Sequence, residues 1–171
     1  MLLLHAADDP HSIYSHYLAE ILRLEGFVDF QEAEFTEVTD AALCQHDLVI
    51  VPRLSTSAPQ ADLLEAYVRQ GGRLLVLLPD LYLGRRFGLT PTYHGIDNGW
   101  LHLHSSEPLV AGLCADPVQI IVPTITWQPA AETAARVLAQ VRPERQAAAD
   151  AGYPAVTWCK VGAGEAIVLG Y

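Results

Sequence analysis

The chain has 171 residues, 51% of them hydrophobic, with 20 acidic against 10 basic side chains and a formal charge of −10. That length buries roughly 70% of the unfolded surface, so no disulfide or metal staple is needed. The negative balance repels phosphate backbones and argues against nucleic acid as a partner. Leu2 to Ala6 reads as a short apolar strand. Asp8-Asp9-Pro10 then reads as a helix start, with Asp9 as N-cap and Pro10 at the first helical position. The spacing predicts a helix to about Leu24, stopped by Gly26. Ile13, Tyr17, Ile21 and Leu24 form its apolar stripe, with Tyr14, Leu18 and Leu22 alongside. Phe27 to Phe35 alternates as an edge strand whose apolar parity switches past Glu32, predicting a bulge or a strand end. Thr39 to Cys44 reads as a short capped helical turn.

Asp47-Leu-Val-Ile-Val-Pro52, the segment from Ser57 to Gly72, and Arg73-Leu-Leu-Val-Leu-Leu-Pro-Asp80 form a βαβ unit. Two continuous apolar runs flank one amphipathic helix, so the strands are expected to be parallel and covered on both faces. Ser57 and Gln60 fit a capping box, Leu63, Leu64, Tyr67 and Val68 make the buried stripe, and Gly71-Gly72 ends the helix. The class is therefore α/β, a flavodoxin-like doubly wound, mainly parallel sheet.

Past Asp80 the pattern loosens. Leu81 to Asn98 shows no clear period and reads as a long excursion over the sheet edge. Trp100 to His104 reads as a strand, Glu107 to Leu113 as a helical turn, and Val118 to Trp127 as strand-like with a bend at Pro123. Arg136 to Val141 reads as a strand and Pro143 to Gly152 as a polar loop. Ala155 to Val161, Gly162-Ala-Gly164 and Glu165 to Leu169 form a C-terminal β-hairpin. Gly162-Ala-Gly164 precedes a strand rather than a helix, so it is a turn and not a phosphate cradle. The whole reads as a single domain, and its ending on a strand with no following helix suggests a piece of a longer protein.

Cys44, Cys114 and Cys159 are far apart and lack CxxC spacing, so buried free thiols are expected, with a reducing cytoplasm as the setting. Met1-Leu-Leu-Leu4 is too short for a signal segment, and no run is long enough to span a membrane.

Four segments resemble the class I glutamine amidotransferase-like superfamily. They are Asp47 to Pro52, Leu64 to Val76 with its double glycine, Glu107-Pro-Leu-Val-Ala-Gly-Leu113, and Tyr153 to Leu169. The closer likeness is to non-amidotransferase members, the trehalose-utilisation-type domains and the trimerisation domain of some bacterial β-galactosidases. Active glutaminases of the superfamily carry a Cys nucleophile on the sharp turn after the strand equivalent to Leu74–Leu78, with a late His and Glu. Here that turn holds Asp80, Leu81 and Tyr82, and no histidine follows His104. The resemblance implies the fold and argues against glutamine hydrolysis, so no catalytic residue is carried over.

In such a sheet, ligands bind beyond the carboxyl ends of the strands. Three loops meet there and bring His5, Asp8, Asp9, His11, Arg53, Ser55, Thr56, Asp80, Tyr82, Arg85 and Arg86. Acids beside arginines in a crevice suit a small polar ligand such as a sugar or carboxylate; the alternative is helix capping by Asp9 and surface ion pairs for the arginines. His94, His102 and His104, or His5 with Asp8, Asp9 and His11, offer imidazoles and carboxylates, but no fixed metal-ligand spacing, and no metal or cofactor is expected. Two functions stay open. One is a non-catalytic domain for ligand binding or subunit assembly, including a homo-oligomer. The other is a hydrolase of carbohydrate or a related polar substrate with an Asp/His acid–base pair. A binding role should turn the polar groups of Leu81 to Asn98 into the crevice, whereas an assembly role should present its aromatics outward.

Overall fold

The computed structural model describes residues 1–130, 134–148 and 151–171. Strands β1 (Leu2–His5), β2 (Gln31–Glu34), β3 (Leu48–Val51) and β4 (Arg73–Leu77) form the parallel half of a nine-stranded sheet. The fifth parallel strand is β11 (Gly164–Leu169), which lies beside β4. Antiparallel strands continue the sheet: β10 (Tyr153–Val161), β9 (Arg136–Arg142), β6 (Trp100–Leu103) and β7 (Val118–Gln119). The order is β2-β1-β3-β4-β11-β10-β9-β6-β7. A separate two-stranded ribbon pairs β5 (Leu89–Ile96) with β8 (Thr124–Pro129). The class is α/β with a flavodoxin-like parallel half, as the βαβ pattern predicts.

The βαβ unit is the best-specified part. Helix α3 (Ala58–Arg69) starts in the capping box formed by Ser57 and Gln60. Ala61, Leu64, Tyr67 and Val68 are its buried residues. The Tyr67 hydroxyl donates to the carbonyl of His46 at 2.8 Å and reaches that of Arg73 at 3.3 Å, tying the ends of β3 and β4 together. The hairpin turn at 162–164 backs onto the end of α3, where Ala163 N–H donates to Arg69 O and Glu165 N–H to Gly72 O. A Cβ at Gly164 would overlap the carbonyl oxygens of Gly72 and Val68, so close backbone approach is what requires glycine there.

The two sheet faces are unequally covered. On one, Leu4, Val49, Val51, Leu74, Val76 and Val168 pack under α3, with Leu83 and Phe87 beyond. On the other, helix α1 (Ile13–Leu24) packs Ala19 against Leu3 and Ile50, while Leu75 and Leu77 are only half-buried. The expectation of β4 being sealed on both faces is thus corrected. Its even-numbered residues are buried and its odd ones are not, because α1 reaches only the β1–β3 side.

Other readings shift as well. Helix α1 begins at Ile13 with Ser12 as N-cap, not at Pro10, because Asp9 is engaged elsewhere. Only Gln31–Glu34 of the 27–35 segment forms a strand; it is an edge strand that ends in a 3-10 turn over Phe35–Glu37. Thr39 caps α2 (Asp40–Leu43) as expected. The excursion from Leu81 to Asn98 is ordered, holding α4 (Leu81–Arg86) and β5. A short helix and a ribbon strand with an irregular register between Pro91 and Gly95 leave too little periodicity to read. The strand-like run from Val118 breaks into β7 and β8 at Pro123, which has no amide to give the ladder. Within the loop read over 143–152, residues 149–150 lie outside the described residues.

Candidate functional site

Three loops converge beyond the carboxyl ends of β1, β3 and β4. The middle one, Pro52 to Ser57, is held from both sides by carboxylates. Asp9 accepts the Ser55 amide at 2.8 Å and the His11 amide at 2.7 Å. Burial pushes its carboxyl up, but these amides and the neighbouring His11 outweigh it and hold Asp9 below the usual carboxylate range. From the other flank, Asp80 accepts the Thr56 amide at 2.5 Å and the Thr56 hydroxyl at 2.7 Å through one oxygen. Its second oxygen caps α4 by accepting the amides of Tyr82 and Leu83, both at 3.0 Å. Four donors occupy this carboxylate, which leaves it little capacity to take a proton from a substrate.

The sharp bend after β4 falls at Leu78, two residues before Asp80. Its φ is +51, a left-handed conformation that a leucine adopts only when its surroundings impose it. Here the Leu78 amide donates to Leu169 O at 2.7 Å, pinning the bend to the last residue of β11. The bend after β4 therefore carries a branched aliphatic side chain and no thiol.

Leu78 and Arg53 lie between two grooves. One, of about 290 Å³, is lined by Tyr14, Tyr17, Leu18, Ile21, Pro52 and Leu77 together with them. The second, of about 140 Å³, runs past Pro79, Pro123, Ile125 and Trp127. The Arg53 guanidinium stands 5.5 Å from the Tyr14 ring centre. Among the described residues no carboxylate lies within ion-pair distance of it.

The remaining candidates disperse. His5 pairs with Glu34 at 3.3 Å, on the edge-strand side. Asp8 is exposed. His11 stands beside Tyr14 with ring centres 6.1 Å apart. Tyr82 and Arg85 are exposed on α4, and Arg86 turns to Asp62 and Glu65 of α3 rather than to the crevice. The structure therefore joins Asp9 with Ser55, and Asp80 with Thr56, and sets Arg53 on Tyr14. It separates His5, Arg85 and Arg86 from them. His104 is bonded through Nδ1 to Val137 O at 2.9 Å, while burial and then the nearby Arg142 charge push the His102 imidazole pKa down. Among the described residues no three His, Cys, Asp or Glu side chains converge as a metal site.

The cysteine expectation is corrected at two of three positions. Cys44 and Cys114 are exposed and only Cys159 is buried, because the first ends a surface helix and the second lies in a turn-rich loop. Burial pushes the Cys159 thiol up to about 11. Two thiols are therefore expected to react with an alkylating reagent in the folded chain at pH 8, and the third only after denaturation, as counted by intact mass.

Sequence reasoning missed Leu78 and the outward face of α1. Ile13, Tyr14, Tyr17, Ile21 and Leu24 fall within an arc of about 100° on the helix, and they are 46%, 40%, 54%, 53% and 86% exposed. The side facing the sheet is instead Ser15 and Ala19, with Leu18 and Leu22 half-buried. The small residues Ser15 and Ala19 were the available signal, since they let α1 lie close to the sheet.

No protein-family model matches the chain, and no curated protein matches it in sequence. Solved structures do. A putative ThuA-like protein from Bacteroides uniformis superposes with a TM-score of 0.72 at 14% identity, covering 99% of this chain and 80% of that one. The fold is ThuA-like. The β-galactosidase from Rahnella sp. R3 gives 0.72 at 17% identity, and that from Bacillus circulans sp. alkalophilus 0.71 at 14%; each match covers 99% of this chain. The chain spans 28% of the length of each of these β-galactosidases. The likeness carried by the four sequence segments is thus met at the level of the ThuA-like fold. Among the described residues no helix is long and apolar enough to cross a membrane.

Proposed function

We propose that the chain is a catalytically silent amidotransferase-like domain whose work is assembly. The observation that carries this reading is the outward apolar face of α1. Its strongest hydrophobic stripe is spent on solvent while small residues meet the sheet. Phe27 and Val28, which follow the helix past Gly26, are 59% and 75% exposed. Summed over these seven residues, roughly 700–900 Å² is exposed, an amount of the order at which apolar surface on a monomer marks a binding site. Such a surface marks a place where another macromolecule packs.

Two features of the crevice support the same reading. Leucine at the bend supplies no nucleophile, and Asp9 and Asp80 are occupied as loop clamps. Two of the three aromatics of the 81–98 segment also point the way an assembly role requires, with Tyr82 54% and Tyr93 80% exposed, while Phe87 packs into the core. The ThuA-like and β-galactosidase neighbours make a carbohydrate-related setting the natural one for such a domain. The test is hydroxyl-radical footprinting of the chain in its native assembly, before and after dissociation. Tyr14, Tyr17 and Phe27 should be protected in the assembly and labelled once it is dissociated. Equal labelling in both states would refute the reading.

A further inference from the structure

We infer that the occupant of the α1 face is a second copy of this chain, packed antiparallel across a two-fold axis; the inference rests on the assembly reading. The exposed area is that of one partner's share in a standard interface, about 800 Å². A two-fold contact also uses one patch twice, and this patch is self-complementary in charge.

Opposite charges stand at the two ends of the α1 face. At the N-terminal end, Arg53 lies over Tyr14 and has no carboxylate partner among the described residues. At the C-terminal end stands the exposed Glu25, the C-cap residue. The other cation at that end, Arg23, is already paired with Glu32 and lies 5.1 Å from the Phe30 ring centre, so it does not compete for Glu25. Two antiparallel helices centred between Tyr17 and Ile21 place Tyr17 against Ile21 of the second copy. The same register carries Glu25 of the second copy to Ile13 and Tyr14, beside Arg53. The symmetry produces this pairing twice, and the opposed helix dipoles favour the same orientation.

A parallel pairing would instead put Arg53 beside its own symmetry mate and leave both Glu25 carboxylates together. Like charges set across an interface oppose association, so the antiparallel arrangement is the one this charge pattern selects.

The experiment is a charge swap read by sedimentation equilibrium. Arg53→Glu and Glu25→Arg each place like charges in the pairing and should each raise the dimer Kd at least about tenfold. The combined variant, Arg53→Glu with Glu25→Arg, should recover to within about threefold of the parent, because two-fold symmetry restores both pairs in reversed sense. Both residues are at least partly exposed, and circular dichroism melts taken below the dimer Kd should stay unchanged in all three variants. A parent chain that is monomeric throughout, or a combined variant no tighter than the single ones, overturns the inference. If the purified chain is monomeric while Tyr14 and Tyr17 are protected in the native assembly, the second copy is wrong and the assembly reading stands. If they are unprotected there too, both fall.

Discussion

Ala19→Asp is expected to lower the melting temperature by about 8–16 °C, whereas Ile21→Asp, two residues along the same helix, should leave it almost unchanged. Ala19 is 2% exposed and packs with Leu3 and Ile50, so an aspartate there buries a charge with no partner. Such a group costs about 4 kcal/mol or more, a large part of the 5–15 kcal/mol that holds a typical domain together. At roughly 2–4 °C per kcal/mol for a chain of this size, the melting temperature should fall by about 8–16 °C. Ile21 is 53% exposed, and a carboxylate there stays hydrated. Its effect on the monomer should remain within about 0.5 kcal/mol. Helical periodicity alone predicts the reverse order, because Ile21 belongs to the apolar stripe. Thermal melts of the two variants, taken at concentrations below the dimer Kd, decide which side of α1 meets the sheet.

Asp80→Ala should be the most damaging substitution in the crevice, through stability rather than chemistry. It removes the N-cap of α4, worth about 1 kcal/mol. It also removes the one oxygen that accepts from both the amide and the hydroxyl of Thr56, a residue 7% exposed. A partly buried unsatisfied donor costs about 1–3 kcal/mol, so the total should reach about 3 kcal/mol. Asp80→Asn should fall between the parent and the alanine variant, since it keeps one acceptor for the helix cap but offers Thr56 an amide where a carboxylate oxygen stood. Urea titration of Asp80→Ala, Thr56→Val and the combined variant should show strong non-additivity, because both single changes break the same link. Additive losses would mean that Asp80 is not the anchor of the 52–57 loop.

Much of this architecture is legible from residues 47–80 and 153–169. There each local signal agrees with the next: continuous apolar runs, a reciprocal capping box, a double glycine and a glycine-spaced hairpin. The edges read less well for physical reasons. The aspartate at position 9 looks like an N-cap because it precedes proline, yet its carboxylate is drawn to the Ser55 amide 46 residues away. The α4–β5 segment hides because its helix has six residues and its ribbon strand slips register, so neither period is sustained. The α1 stripe is the instructive case. Periodicity finds an apolar face on a helix, but it does not say whether that face meets the chain's own sheet or something else. Ser15 and Ala19 decide it, because small residues allow closer approach than leucine does.

The candidate site was legible in its location but not in its use. The three loops meet where the βαβ rule places them. What the sequence could not display is that Asp9 and Asp80 point inward to backbone and hydroxyl donors, or that the bend falls at Leu78 rather than at Asp80. These depend on the register of β4 against β11, which long-range packing sets.

Sedimentation velocity of the parent chain beside Tyr17→Asp/Ile21→Asp reaches the core of the account most directly. The parent should sediment as more than one chain and the double variant as a single chain, while their thermal melts coincide at concentrations below the dimer Kd. Identical sedimentation of the two, whether both single or both assembled, would contradict the claim that α1 turns its apolar face toward a second copy.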